Sequence, residues 1–126
     1  MLKQRLAIPA ALCYSLVLLT LSLVNLGDIT HDAPKNSDKI FHFLAYCLLL
    51  LVWYLGAFWG LNWPKRKALM SAALFSVAFG FLIEILQGTL TETRQFDMLD
   101  VLANTSGIIL TLLVLVFKQK TNHKKI

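Results

Sequence analysis

Acidic and amide side chains recur at helical intervals late in the chain, within and just before a segment that is otherwise apolar. Asp97, Asp100, Asn104, Gly107 and Thr111 are three or four residues apart, which places them on one face of a helix. An ionisable side chain within an apolar helix is costly, and it usually faces the bundle interior or a wet cavity. The spacing therefore predicts a polar stripe that avoids lipid.

A second stripe combines small residues with one carboxylate. It consists of Ala72, Ser76, Gly80, Glu84 and Gly88, which recur every four residues. Small residues at this spacing let two membrane helices approach closely. We expect the two stripes to pack together, so that Glu84 approaches Asp100 and Asn104, with Gln87 one turn beyond Glu84. Positions 80 and 107 should then be close enough for a cysteine cross-link.

A third set of polar residues lies at the start of another apolar segment. Asp38, His42 and Tyr46 are spaced by four residues, and Lys39 is adjacent. Together with Arg94, which precedes the first stripe, these residues predict a charge-balanced pocket near one membrane face. The predicted ligand-binding residues are Lys39, His42, Tyr46, Glu84, Gln87, Arg94, Asp97, Asp100 and Asn104.

Several of these residues also have purely structural explanations. Asp97 could cap the helix that follows it, where a carboxylate accepts hydrogen bonds from free backbone N–H groups. Asp100 and Asn104 could form interhelical hydrogen bonds. Glu84 needs a partner, which could be Lys39 or Arg94.

The sequence leaves catalysis open and favours a non-enzymatic role. Glu84, Asp100 and His42 are the candidates for acid–base chemistry on a lipid headgroup. No H-E-x-x-H or C-x-x-C motif occurs, so we predict neither a metal site nor a cofactor. A G-x-S-x-G motif and a glycine-rich nucleotide loop are also absent from the sequence.

The elements that carry these residues are four apolar blocks at about 6–26, 40–61, 68–87 and 101–117. The chain has 126 residues, of which 57% are hydrophobic and 15% charged, against about 25% charged in soluble domains. Each block is close to the length of about 20 residues that a membrane-spanning helix needs. We predict an all-α bundle of four transmembrane helices in a single domain. Basic residues flank the blocks, which argues against nucleic-acid binding despite the net charge of +5.

The distribution of basic residues predicts the orientation. Nine of the twelve Lys and Arg residues precede block one, follow block four or lie between blocks two and three. Cytoplasmic loops are enriched in these residues, so both termini should be cytoplasmic. All seven acidic residues then lie toward the other face. We expect block one to be an uncleaved span, and we expect no disulfide between Cys13 and Cys47, which fall toward opposite faces.

Three of the four spans resemble the VanZ-like family of bacterial membrane proteins. The residues that carry the resemblance are D-K-x-x-H-x-x-x-Y from Asp38, E-x-x-Q from Glu84, and R-x-F-D-x-x-D-x-x-x-N-x-x-G from Arg94. The resemblance implies a multi-pass protein of the bacterial cytoplasmic (inner) membrane. The founding member of this family is associated with resistance to the glycopeptide teicoplanin.

Three functions remain open at this stage. The leading hypothesis is an extracytoplasmic-side pocket that binds an anionic or lipid-linked cell-envelope molecule, with Lys39 and Arg94 contacting the anionic group. The partners would then be the lipid bilayer and a lipid-linked envelope precursor or a glycopeptide. The alternatives are an enzyme acting on a lipid headgroup or glycopeptide, and a structural membrane scaffold. The sequence does not predict an oligomeric state.

Overall fold

The computed structural model describes residues 1–24, 37–90 and 97–124, with side chains as far as residue 120. It contains four helices: α1 at Leu2–Leu23, α2 at Ser37–Leu55, α3 at Lys65–Leu90 and α4 at Met98–Lys124. All four are long and apolar enough to cross a membrane. The described residues contain no strand, and the predicted all-α membrane bundle is confirmed.

Each helix begins up to one turn before its predicted apolar block. The first turns contain charged residues, such as Lys39 in α2 and Lys65 in α3. The predicted blocks are apolar runs, so they begin after these residues. Charged side chains are compatible with helical backbone, particularly at a membrane surface. The polar residues ahead of the apolar blocks are therefore fixed by the same helices that cross the membrane.

Helix α2 is the central element of the bundle. It contacts α1, α3 and α4, whereas α1 and α4 do not contact each other within the described residues. Its buried side chains, including Leu49 and Leu50, form the core together with Ile83 and Leu69 of α3. Large apolar side chains such as Leu74 remain exposed on the outside of the bundle, which suits a lipid environment.

Glycines allow α2 to approach α3 and α4 closely. A Cβ atom at Gly107 would collide with the backbone carbonyl oxygen of Phe43 in α2. A Cβ at Gly80 would lie 3.1 Å from Cε1 of Tyr46, also in α2. Gly107 therefore packs against the backbone of α2, and the cross-link between positions 80 and 107 stays a prediction. The α3 and α4 stripes still meet through Asn104, whose Nδ2 lies 3.5 Å from a Cβ at Gly80.

A π-helical segment, Gly56–Gly60, continues α2 and packs against α1. A Cβ at Gly60 would lie only 2.7 Å from Cγ1 of Ile8, so the small residue permits this contact. Asn62 then adopts a left-handed conformation with φ of 56°, which asparagine tolerates better than most residues. Pro64 follows and α3 begins at Lys65. The π-helical segment was not predicted from the sequence.

Hydrogen bonds between described residues join helix α1 to its neighbours. The Tyr14 hydroxyl donates to the carbonyl oxygen of Ala45 at 2.5 Å. The indole N–H of Trp53 donates to the Ser15 hydroxyl oxygen at 2.9 Å. At the far end of α1, the Gln87 side-chain amide donates to the Ser22 carbonyl oxygen at 2.8 Å.

Basic and aromatic side chains meet at the end of the bundle where α2 turns into α3. Lys67 Nζ lies 4.1 Å from the ring centroid of Trp63, and Lys3 Nζ lies 5.0 Å from that of Trp59. Such cation–π contacts fit the headgroup region, where tryptophan rings are enriched. This end contrasts with the opposite end, where α2 and α4 begin and where Asp38, Glu84, Asp97 and Asp100 lie.

Candidate functional site

The ends of three helices bring most of the predicted site residues together. Helices α2 and α4 begin at this end of the bundle, and α3 ends there. We call the resulting group the polar cluster. It consists of Lys39, His42, Tyr46, Glu84, Asp97, Asp100 and Asn104.

Lys39 links α2 to the start of α4. Its ammonium group lies 2.7 Å from Oδ2 of Asp97 and 3.1 Å from Oδ2 of Asp38, and it also contacts Oδ1 of Asp100. The sequence predicts Lys39 or Arg94 as the partner of Glu84. In the structure Lys39 pairs instead with Asp38, Asp97 and Asp100. Arg94 lies outside the described residues.

Asp100 is shared between two basic side chains of α2. While Oδ1 contacts Lys39, Oδ2 lies 3.6 Å from Nε2 of His42. His42 is only 4% exposed and Asp100 only 9% exposed, so this pair is shielded from solvent. A distance of 3.6 Å is longer than a hydrogen bond and leaves the imidazole nitrogen able to engage another partner.

Asp97 caps α4 and also forms an ion pair. The backbone N–H of Leu99 donates to Oδ1 of Asp97 at 2.9 Å, which confirms the predicted capping role. The hydrogen bond from Lys39, reinforced by that from Leu99, lowers the pKa of the Asp97 carboxyl below its usual value. The backbone N–H of Asp97 lies 3.4 Å from Oε2 of Glu84, and this contact connects α3 to α4.

Several buried polar atoms in and around the polar cluster have no hydrogen-bond partner among the described residues. They are Glu84 Oε1, Tyr46 Oη, Ser76 Oγ and both side-chain amide atoms of Asn104. Glu84 is completely buried, and Tyr46 and Asn104 are 1% and 2% exposed. Buried polar groups are normally hydrogen-bonded, so these atoms are available to a partner beyond the described residues.

Gln87, which was a predicted site residue, and Ser76, which was not, change the set of residues that form the pocket. Gln87 is buried as expected, but its amide nitrogen donates to α1, so it serves at least in part to join helices. Ser76 was not among the predicted site residues, although it is fully buried and its hydroxyl lacks a partner. Its place in the small-residue stripe, two turns before Glu84, is the signal that could have identified it.

The polar cluster also contains a possible set of metal ligands. One ligand atom from each of His42, Glu84 and Asp100 lies within 4.8 Å of the other two. The sequence predicts no metal site, because it places few histidines on this side of the membrane and contains neither H-E-x-x-H nor C-x-x-C. These three residues come from three different helices, so no local motif could have indicated the arrangement.

The chain was compared with models of known protein families. The family model described as VanZ/LLP1 matches residues 6–119, which cover most of the four helices and every residue of the polar cluster. The chain belongs to the VanZ/LLP1 family. The resemblance noted in the sequence motifs is thereby confirmed.

Among curated proteins, this VanZ/LLP1 chain is similar to an uncharacterized protein of Schizosaccharomyces pombe. The two are 37% identical over 94 residues, which cover 74% of this chain and 54% of the yeast protein. The chain thus spans about half the length of its curated relative. No solved structure matches the VanZ/LLP1 chain.

Proposed function

We propose that this VanZ/LLP1 protein binds an anionic or lipid-linked cell-envelope molecule at the polar cluster. One observation carries the proposal: buried polar atoms that have no partner among the described residues converge there from α2, α3 and α4. Leaving such groups unpaired costs about 1–3 kcal/mol each, and a bound polar group would remove that cost. A purely structural cluster would be expected to satisfy its own members.

Lys39 is the contact for the anionic group of this molecule. Its side chain is 23% exposed, and two of its three carboxylate partners, Asp38 and Asp97, are 63% and 41% exposed. Ion pairs at such exposed positions contribute little stability, so an incoming anion can replace them. The contact with Asp100 is more buried and would keep the lysine in position. Arg94 remains the predicted second contact.

An apolar groove beside the polar cluster supports a lipid-linked ligand. Side chains of α1 and α2, among them Val17, Leu21, Leu44 and Leu48, line a groove of about 270 Å³. Phe41 also lines it and is adjacent in sequence to His42, so the groove follows the neighbouring face of α2. Because Lys39 faces α4, a ligand bound at the polar cluster would reach this groove by extending around α2.

The proposal includes the predicted orientation and location. With both termini cytoplasmic, the polar cluster faces the outer side of a bacterial inner membrane, where glycopeptides meet envelope precursors. A contribution to teicoplanin resistance follows from such a site, and it is measured as the inhibitory concentration for a susceptible bacterium with and without the protein.

Native mass spectrometry of gently purified protein tests the binding site. We compare wild type with Lys39→Gln and with Lys67→Gln, a matched loss of one exposed lysine at the opposite end of the bundle. We expect an envelope lipid retained by wild type and by Lys67→Gln but lost from Lys39→Gln. Arg94→Ala tests the second predicted contact in the same assay.

The same measurement separates the binding function from a structural scaffold. If wild type retains no specific molecule, and each variant of the polar cluster only lowers the melting temperature, the residues serve to hold the bundle together. Equal retention by Lys39→Gln and wild type would show that the ligand, if any, binds elsewhere.

A second candidate function is catalysis on a lipid headgroup or glycopeptide, and the pairing of His42 with Asp100 favours it. A buried imidazole next to a carboxylate can act as a general base. Conversion of the retained molecule by purified wild type, with no conversion by a folded His42→Gln variant, would establish this alternative. An unchanged ligand after prolonged incubation would count against it.

A further inference from the structure

Three potential metal ligands meet at the buried centre of the polar cluster. His42 comes from α2, Glu84 from α3 and Asp100 from α4, and their nearest ligand atoms all lie within 4.8 Å of one another. The three residues are 4%, 0% and 9% exposed. Ligand atoms bonded at about 2.0–2.2 Å to a tetrahedrally coordinated ion lie about 3.4 Å apart. Shifts of up to about 1 Å in these side chains would therefore bring the three atoms to coordination distance.

Unpartnered atoms provide a second, independent indication of a ligand at this centre. In the part of the chain that the structure describes, Oε1 of Glu84 has no hydrogen-bond partner, and neither does Oδ1 or Nδ2 of Asn104. Asn104 is 2% exposed and lies four residues after Asp100, on the same face of α4. Its Nδ2 also lies close to Gly80, one turn before Glu84 on α3. An amide oxygen at this position is a suitable fourth ligand.

The charges of the cluster also favour a cation. Within the described residues, Lys39 is the one lysine or arginine that pairs with the aspartates, and it is already shared by three of them. Glu84 receives only a long contact of 3.4 Å from the backbone N–H of Asp97. A buried carboxylate without a counter-charge is strongly unfavourable, so a divalent ion between Glu84 and Asp100 would be stabilised by both.

We propose that His42, Glu84 and Asp100 bind a divalent transition-metal ion, with the Asn104 amide oxygen as a fourth ligand. An imidazole nitrogen combined with carboxylate oxygens suits Zn²⁺ or Mn²⁺ better than Ca²⁺ or Mg²⁺, which prefer oxygen ligands alone. Lys39 orients the carboxylate of Asp100 from outside the coordination sphere, as partners of metal ligands commonly do.

This site extends the proposed function without depending on it. A bound divalent ion would place positive charge near Lys39 and would attract the phosphate or carboxylate of an envelope molecule. Metal binding is measured with the metal alone, and lipid retention is measured in the presence of a chelator. Failure of either proposal can therefore be recognised separately.

The test is equilibrium dialysis of chelator-treated full-length protein in nanodiscs against Zn²⁺ or Mn²⁺, followed by elemental analysis. We expect one ion per chain for wild type, with Ca²⁺ and Mg²⁺ failing to compete. His42→Ala and Glu84→Gln should each weaken binding at least about 10-fold, the lower end of what loss of a supporting residue causes. Asp38→Asn, which removes an exposed carboxylate beside Lys39, is the matched control and should bind as wild type does.

Co²⁺ substitution keeps the proposal testable if Glu84→Gln does not fold. The visible absorption of Co²⁺ bound to wild type should report a low-coordinate site with nitrogen and oxygen ligands, and this spectrum should be absent in His42→Ala. Wild type that binds neither Zn²⁺ nor Mn²⁺ at one ion per chain would overturn the proposal. Undiminished binding by His42→Ala would overturn it equally.

Discussion

Single residues of the polar cluster combine structural and functional roles. Asp97 caps α4 through Leu99 and at the same time pairs with Lys39 of α2. Asp100 contacts Lys39 with one oxygen and approaches His42 with the other. A substitution at either aspartate therefore changes more than one interaction. Variants that remove one interaction at a time are needed to separate these roles.

The ion pair of Asp97 should make stability depend on pH. Its carboxyl has a lowered pKa in the folded protein, so the pair contributes above the ordinary aspartate pKa of about 3.9 and is lost as the pH falls through the lower folded value. Asp97→Asn removes the charge but retains a residue suited to capping. We expect its melting temperature to lie below that of wild type at pH 6–8.

In a pH series, the difference between wild type and Asp97→Asn should shrink toward zero in acid. Asp97→Ala also lacks the cap, so it should remain less stable than Asp97→Asn at every pH. A difference between wild type and Asp97→Asn that stays constant down to the lowest pH would show that the ion pair with Lys39 contributes nothing.

Lys39 and Asp100 should be energetically coupled. Lys39→Gln leaves the buried carboxylate of Asp100 with less counter-charge, and we expect a loss of about 1–3 kcal/mol in the free energy of unfolding. Breaking a fully buried ion pair costs about 3–5 kcal/mol. The expected loss is smaller here because the Lys39 side chain is 23% exposed. Adding Asp100→Asn should restore part of this loss. Denaturant titrations in mixed micelles give the coupling, and strictly additive effects of the two substitutions would contradict it.

Periodicity predicted which residues are buried, but not which of them pair. Glu84, Asn104 and His42 follow helical spacing and are buried as expected. The spacing along one helix does not fix the rotation of its neighbours, so the choice between Lys39 and Arg94 as the partner of Glu84 could not be made. The potential metal ligands were missed for the same reason, since each lies on a separate helix.

At the scale of helices, glycines of α3 and α4 determine how closely these two helices pack against α2. Gly107 of α4 lies against the carbonyl of Phe43, and Gly80 of α3 lies under the ring of Tyr46. The small-residue pattern correctly indicated close packing, but a pattern on one helix does not identify the helix that it contacts. The central position of α2 emerged only from the structure.

Alanine substitutions at the glycines should therefore differ in severity. Gly107→Ala collides with a backbone atom that cannot move independently, so we expect a loss of about 1–3 kcal/mol in the free energy of unfolding. Gly80→Ala meets a side chain that can shift, and its effect should be smaller. Gly88→Ala, at an exposed position of α3, is the matched control and should be close to neutral.

Denaturant titrations of the three variants rank these effects directly. An effect of Gly107→Ala no larger than that of Gly88→Ala would show that α4 does not pack on the backbone of α2. The π-helical segment of α2 could not be predicted in this way, because its glycines resemble an ordinary helix end and its contact with α1 depends on distant residues such as Ile8.

At the scale of the whole molecule, the two ends of the bundle differ in charge. Lysines lie over aromatic rings at one end, and carboxylates surround Lys39 at the other. This separation was predictable, because charge counts in short loops depend on the sequence alone. The fold class and the number of spans were predictable for the same reason.

Cysteine labelling in intact cells tests the predicted orientation. In a background without Cys13 and Cys47, we expect a cysteine at position 38 to react with a membrane-impermeant maleimide added outside. Cysteines at positions 66 and 118 should react only after the membrane is permeabilised. Labelling of position 66 in intact cells would reverse the orientation and would place the polar cluster in the cytoplasm.

The hydrogen bonds between α1 and its neighbours have a consequence for the order in which the protein assembles. Because synthesis proceeds from the N-terminus, α1 is made before Ala45 and Trp53 of α2 and Gln87 of α3 exist to bind it. The Ser15 hydroxyl can meanwhile donate to the Ala11 carbonyl oxygen of α1 itself, whereas the Tyr14 hydroxyl gains its Ala45 partner only when α2 arrives. Helix α1 can dock in stages, first on α2 at its middle and later on α3 at its far end.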